Sequence, residues 1–323
     1  MTSRAKIFRA LKYLGLAVVL AVSLLLSWLR WESSQPRDDY FDERGGQIET
    51  IAVESSVTEY GQLSESVQLL SDSGLRVSFR VIRGAGDNAP KPVLIVLGGH
   101  RTGMDAVDLF GDVGSQVIVG VDYPYDGPEK AKGTLAVART IPLARRAFLD
   151  TVPAVSLVLD WLVNQDWVDG NRVVVIGASL GVPFAAAVAS RDQRVTGLVL
   201  VHGAADNRAW METQVARRIE TEFLHYPLST VLNWLAYGPI FDTSKYVATV
   251  SPRPVLIIGA REDERTPAGQ SELLFAAAGE PRRLRFTDGQ HIQPNRTEII
   301  TELLRITDEE LAFLLESGQR PDQ

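Results

Sequence analysis

The chain contains no cysteine among its 323 residues. Disulfide bridges, thiolate catalysis and cysteine-ligated zinc are therefore excluded, while the compartment stays open, because a secreted protein can fold without bridges. Excess positive charge is also missing. The net charge is −7 and the isoelectric point is about 5.3, which argues against nucleic acid as the main partner. There is no low-complexity tract, no internal repeat, no HExxH, no P-loop and no dinucleotide fingerprint. Metalloprotease, nucleotide-hydrolase and hydride-transfer readings have no support, and neither a metal nor a cofactor is expected. What is present is a globular composition, 45% hydrophobic and 23% charged, with length for one large core or two domains.

The first 30 residues differ from the rest. Arg4, Lys6, Arg9 and Lys12 precede an uncharged run from Tyr13 to Leu29. That length is at the lower limit for crossing a bilayer. Trp28 and Trp31 stand at its far end, where indoles favour the membrane interface. Residues 13–30 are expected to form a transmembrane anchor, with 1–12 as a cytoplasmic basic segment. The basic flank then puts the rest of the chain across the cell membrane, in the periplasm of a Gram-negative cell. A cleaved signal peptide and a secreted product form the rival reading. Ala21-Val22-Ser23 could serve as its cleavage site, but Leu24 to Leu29 continue the apolar run beyond it. Residues 31–63 are polar and read as a linker, and 317–323 as a tail.

From residue 66 the pattern becomes regular. SVQLL and RVSFRVI alternate on either side of Ser71-Asp72-Ser73-Gly74, which predicts an antiparallel hairpin. Short apolar runs of the buried parallel type follow at Val93–Leu97, Val117–Val121, Val173–Ile176, Leu198–Val201, Val255–Ile258 and, more weakly, Leu284–Phe286. Helical patterns lie between them, clearest over Pro153–Asn164, Leu180–Ser190, Ala268–Ala278 and Thr297–Glu316. This alternation predicts an α/β domain over 64–316, with a mostly parallel eight-stranded sheet and helices on both faces. One connection is too long for a simple crossover. Residues of about 206–250 carry helical stretches near Arg208–Phe223 and Leu228–Ala236, and the aromatic segment FLHYPLSTVLNWLAYGPIF. They read either as a lid over a pocket or as extra core.

At residues 173–187 the sequence is VVVIGASLGVPFAAA. A buried strand runs into a serine between two glycines, and an alanine-rich helix follows. A sharp strand-to-helix turn throws one side chain above the sheet edge, and its neighbours must be small. The helix directs its free N–H groups toward the same point, and Pro183 falls in the first turn, where a missing N–H costs little. Ser179 is thus placed as a nucleophile. The motif alone is weak, and a helix-capping serine is the plain alternative.

A serine nucleophile needs a base and the base needs an orienting acid. Of the four histidines, His100, His202 and His225 are taken as structural or incidental. His291, in RFTDGQHIQP, falls after the last strand, where a Ser–acid–His order requires it. The acid is sought in VLIIGAREDERTP, which offers Glu262, Asp263 and Glu264; three adjacent acids cannot all face one histidine. Asp263 leads, and Asp206 is a second candidate. An oxyanion hole needs two backbone N–H groups. Leu180 supplies one, and Gly98-Gly99-His100 the other, with His100 preferred and Gly99 next.

Together these segments resemble the α/β-hydrolase superfamily, most closely its dienelactone-hydrolase-like and prolyl-oligopeptidase-like members, over residues 64 to 316. VLIVLGGHRTG is similar to the oxyanion loop, with Gly98-Gly99 where a His-Gly pair is usual; WVDGNRVVVIGASLGVPFA resembles the nucleophile turn; PVLIIGAREDERTP and TDGQHIQP resemble the acid and histidine loops. The resemblance implies a serine hydrolase with Ser179, Asp263 and His291 as its triad, no cofactor, and a helical cap where the long insert lies. An ester is the expected substrate, with a peptide or thioester as rivals. The partners expected are a small-molecule or peptide acyl substrate and the membrane, and no nucleic acid. VDYPYDGP (121–128) and 223–241 are expected to line the pocket. A non-catalytic, membrane-tethered binding protein on the same fold is the alternative from another class.

Overall fold

The computed structural model describes residues 3–86, 89–99, 102–128 and 130–316, with side chains from Phe8 onward. In chain order the elements begin with α1 (Ser3–Glu32), α2 (Asp38–Gly45), β1 (Ile48–Val57), β2 (Leu63–Ser71), β3 (Arg76–Arg83), β4 (Lys91–Leu97) and β5 (Val117–Val121). Then come α3 (Thr134–Leu162), β6 (Val168–Ala178), α4 (Val182–Arg191), β7 (Gly197–Val201), α5 (Asn207–Ala216), α6 (His225–Leu235) and α7 (Thr243–Ala248). The chain closes with β8 (Val255–Ala260), α8 (Gln270–Ala277), β9 (Arg282–Thr287), α9 (Thr297–Glu309) and α10 (Leu311–Glu316).

The strands form one mixed sheet in the order β1-β2-β3-β5-β4-β6-β7-β8-β9. The pairings from β1 through β3 to β5 are antiparallel, and those from β5 to β9 are parallel. All seven residues of β4 and all five of β5 and of β7 are buried, which is why each reads as an unbroken apolar run. Val93, Ile95 and Leu97 pack under α3 and α4 on one face. Leu94 and Val96 pack toward α9 and α10 on the other.

The sheet has nine strands, not the expected eight. The additional strand is β1, within the segment expected as a linker. Nine of its ten positions are exposed, so neither face carries a buried apolar set, and its alternation is lost among polar neighbours. The preceding α2 is packed as well. Phe41 is buried, and Arg44 makes a two-point contact of 2.9 Å to each carboxylate oxygen of Asp150 on α3. Residues 38–57 are therefore part of the folded body. Helix α3 also begins about twenty residues before Pro153 and runs through both Pro142 and Pro153. Pro153 marked a helix start in the sequence, but the helix continues N-terminal to it.

Candidate active site

Strand β6 ends at Ala178, and Ser179 takes a φ of 54°, a left-handed conformation that is costly for a non-glycine residue. A 3₁₀ turn at Ser179–Gly181 leads directly into α4. A Cβ on Gly181 would lie 2.1 Å from the Leu97 carbonyl oxygen, so only glycine lets β4 pass under this turn. The turn lifts Ser179 Oγ to 2.8 Å from His291 Nε2. On the far side of the ring, Nδ1 lies 2.9 and 3.0 Å from the two Asp263 carboxylate oxygens. His291 is 1% exposed. The three residues come from the loops after β6, β8 and β9, and the parallel sheet brings those carboxyl ends to one edge.

Asp263 is held as tightly as it holds. Its Oδ1 accepts the backbone N–H groups of Arg265 at 2.8 Å and Thr266 at 2.7 Å. Burial pushes its pKa up, but the His291 ring and these two amides outweigh it and keep the carboxyl below its usual range. Glu262 is exposed. Glu264 engages the same histidine by another route, accepting the His291 backbone N–H at 2.9 Å while pairing with Arg296 at 3.0 Å. Burial raises its pKa, and these donors lower it below the ordinary value. Adjacent acids thus share one residue, Asp263 on the ring and Glu264 on the backbone. Asp206 is elsewhere: it caps α5, accepting the amides of Arg208 and Ala209 at 2.8 and 3.1 Å.

Gly99 lies directly over the serine. A Cβ there would be 3.4 Å from Ser179 Cβ and 3.8 Å from Oγ, so the glycine allows the loop to approach. The Gly98 carbonyl accepts a 2.6 Å hydrogen bond from Tyr123, whose burial raises its pKa. Leu180 follows the serine in the 3₁₀ turn, and the preferred second donor, His100, lies outside the described residues. The segment 121–128 does not line the clefts around Ser179. Tyr123 stacks edge-on against Phe184 at 5.7 Å and braces the Gly98 loop from behind.

His202, at the end of β7, has a part the sequence did not reveal. Its φ is 51° and its ring is 1% exposed. Nδ1 accepts the Ile292 backbone N–H at 2.9 Å, and Nε2 lies 3.0 Å from Thr287 Oγ1. The ring thus pins the loop that carries His291. Burial, then the neighbouring His291, lowers its pKa from 6.5 to about 4. As pH falls below 6.5 the unfolded chain gains a proton that the folded chain refuses until about pH 4, so stability is lost across that window. The expected loss is up to about 3 kcal/mol. Urea titrations at pH 7 and 4.5 should show a shallower pH dependence in His202→Asn than in the parent; an equal dependence would refute this origin.

Ligand-type atoms of His202, Asp263 and His291 lie within 4.8 Å of one another. Each is already engaged: the His202 ring to Ile292 and Thr287, Asp263 to His291 and two amides, and His291 to Ser179. The set fits a hydrogen-bonded relay better than a metal centre, whose ligands would have to leave those partners.

Residues 149–316 match the prolyl oligopeptidase family. The chain belongs to that family. Its members are serine hydrolases on the α/β-hydrolase fold, as the resemblance in the motifs implied. The chain is 29% identical over 177 residues to YfhR, an uncharacterised protein of Escherichia coli, covering 53% of this chain and 52% of the relative. It therefore spans about half the length of the curated relatives it matches. Among solved structures it is similar to acetyl xylan esterase 1 of Thermoanaerobacterium, with 17% identity and a TM-score of 0.58 over 87% of this chain and 93% of that one. It is also similar to 2,6-dihydroxy-pseudo-oxynicotine hydrolase, with 19% identity and a TM-score of 0.54 over 80% and 71%. At those identities the likeness is one of fold.

The insert contributes to both readings left open for it. Asn207, Trp210 and Met211 on α5 and Asn233 on α6 line the same pocket as Ser179, while Val247 of α7 is wholly buried in the core. Beside the serine is an apolar pocket of about 50 Å³ walled by Phe148, Leu180, Phe184 and Phe241. A wider cleft of about 760 Å³ opens past His291 toward Gln214, Arg218 and Gln293.

Proposed function

We propose that the protein is a membrane-anchored serine esterase acting on a short-chain acyl ester. The observation that carries this is the Ser179–His291–Asp263 relay, with contacts of 2.8 and 2.9 Å. Ser179 Oγ attacks the ester carbonyl while His291 Nε2 takes its proton. Asp263 holds the ring so that Nδ1 carries its proton and Nε2 is free to accept. The oxyanion is met by the Leu180 N–H and by an amide of the Gly98-Gly99-His100 loop. His291 then protonates the departing alcohol, and water drawn to the same base releases the acyl group.

The small pocket argues for a short acyl chain. Its 50 Å³ holds about four water-sized groups, and burial of each further methylene would have to displace Phe148, Phe184 or Phe241. The wider cleft takes the alcohol portion. Anchoring is supported by the helix Phe8–Glu32, which has a mean hydropathy of 2.1 and an apolar window with none of its residues buried. The basic residues before it favour a cytoplasmic N-terminus and an extracytoplasmic body.

The test is hydrolysis of p-nitrophenyl acetate, butyrate and octanoate by the full chain in mild detergent, with fluorophosphonate labelling in parallel. The expected kcat/KM falls by about tenfold or more from acetate to octanoate, since even one methylene that misfits an apolar pocket costs about 1–3 kcal/mol. A folded protein that neither turns over nor labels would sink the esterase reading. The family match favours a peptidase as second reading, and turnover of a prolyl p-nitroanilide in preference to all three esters would establish it.

A further inference from the structure

Helix α1 does not leave the body on a loose tether. Leu29 and Ser33 are buried. Glu32 is bound to Arg145, to Arg37 at 2.6 Å and to the Tyr237 hydroxyl at 2.8 Å. Arg145 in turn donates to the Trp234 and Leu235 carbonyls at the end of α6, at 3.2 and 2.9 Å. The anchor is thereby locked to α3 and α6, and a groove of about 800 Å³ runs between the three helices. Leu25 and Leu29 of α1, Ile141 and Leu149 of α3, and Val231 and Leu235 of α6 wall it.

Three observations say what fills this groove. The first is depth. Leu25–Leu29 are the end of the uncharged run, so they lie within about 10 Å of its outer limit at 1.5 Å per residue, the level where acyl chains meet headgroups. The second is the surrounding surface. No residue of α3 from 134 to 146 is buried, and Leu135, Val137 and Leu143 are exposed there, as are Tyr226 and Leu232 on α6 and Phe223 just before it. Apolar exposure on this scale marks an interaction surface, and it is continuous with a helix that itself requires a bilayer. The third is charge. Arg146 lines the groove beside Arg44. The Arg44 guanidinium is committed to Asp150 and the Ser73 carbonyl, whereas the Arg146 side chain is 60% exposed, with Nε 3.5 Å from Asp150. A guanidinium so placed has N–H donors to offer a phosphate.

We propose that this groove binds one phospholipid from the leaflet on the side of the hydrolase body, its hydrocarbon chain along α1, α3 and α6 and its phosphate at Arg146. The inference rests on the reading of α1 as a membrane anchor. The same α6 that walls the groove through Val231 and Leu235 faces the serine pocket through Asn233. The bound chain thus braces the cap from behind.

The full chain would be reconstituted into nanodiscs of phosphatidylethanolamine and phosphatidylglycerol carrying a diazirine-chain phospholipid, photolysed and mapped by peptide mass spectrometry. Adducts are expected on 141–149 and 231–235 as well as on α1. Val231→Trp, which fills the groove, should cut the α3 and α6 adducts by about tenfold and leave those on Leu16–Leu20 unchanged. Arg146→Glu, at an exposed side chain, should lower phosphatidylglycerol retained through detergent exchange by about tenfold. Adducts confined to α1, or equal adducts in both variants and the parent, would mean annular lipid only and overturn the proposal. Chain-to-chain adducts at 231–235 would mean that a second copy fills the groove, and would overturn it too. Extraction of the intact chain by alkaline carbonate would remove the anchor reading and this proposal with it, while ester turnover would stand independently.

Discussion

Ser179→Ala is expected to lower kcat for p-nitrophenyl acetate by about 10⁴-fold or more and to abolish fluorophosphonate labelling. The size follows from the position of the hydroxyl. Oγ is the atom 2.8 Å from His291 Nε2, and no other hydroxyl among the described residues hydrogen-bonds His291. What turnover persists would come from the amides around the pocket and from binding alone. The fold should survive, because alanine meets the left-handed strain at φ 54° no worse than serine does and creates no cavity. Thermal melting within a few degrees of the parent is the control. Undiminished turnover and labelling in a folded variant would move the nucleophile elsewhere and withdraw the mechanism.

Asp263→Asn should be nearly as damaging, with a loss of kcat of about 10⁴-fold at neutral pH. The amide keeps an oxygen for the N–H groups of Arg265 and Thr266, now at 2.8 and 2.7 Å, so the loop should hold. It presents an NH₂ to His291 Nδ1, however, and that favours the tautomer with the proton on Nε2. The ring then faces Ser179 as a donor and cannot take its proton. KM should change far less than kcat, since the aspartate does not line the clefts around the serine. A second consequence concerns acid. The depressed carboxyl contributes stability above its unfolded pKa that is lost as pH falls through its folded value, and the asparagine variant should lack this acid-side loss. A drop in kcat below tenfold would mean that another group orients the histidine, and Glu264 would be the first to test.

The parts of the molecule legible in the sequence are those where local pattern and burial coincide. β4, β5 and β7 are buried along their whole length, so their apolar runs could be read without a partner in view. β1 and α2 were not legible: β1 is exposed on both faces and carries no buried apolar set, and α2 is held by contacts far along the chain, such as Arg44 with Asp150. The place of His202 was equally hidden. A histidine at a strand end reads as structural, and only the approach of the β9 loop makes its ring the support of His291.

The chemistry available is written in short stretches of residues: a serine between small residues at a strand end, acids and a histidine after later strands, no thiol, and one long apolar helix. Those are properties of short segments, and each segment carries its own physical signal. Which atoms meet depends on how the folded chain packs. The parallel sheet delivers three loops, from residues 112 positions apart in the case of Ser179 and His291, to one edge. Helix α1 is fixed to the turn after α6 through Glu32 and Tyr237, 205 positions apart. Contacts across such separations depend on packing and register, and no local pattern of residues encodes them.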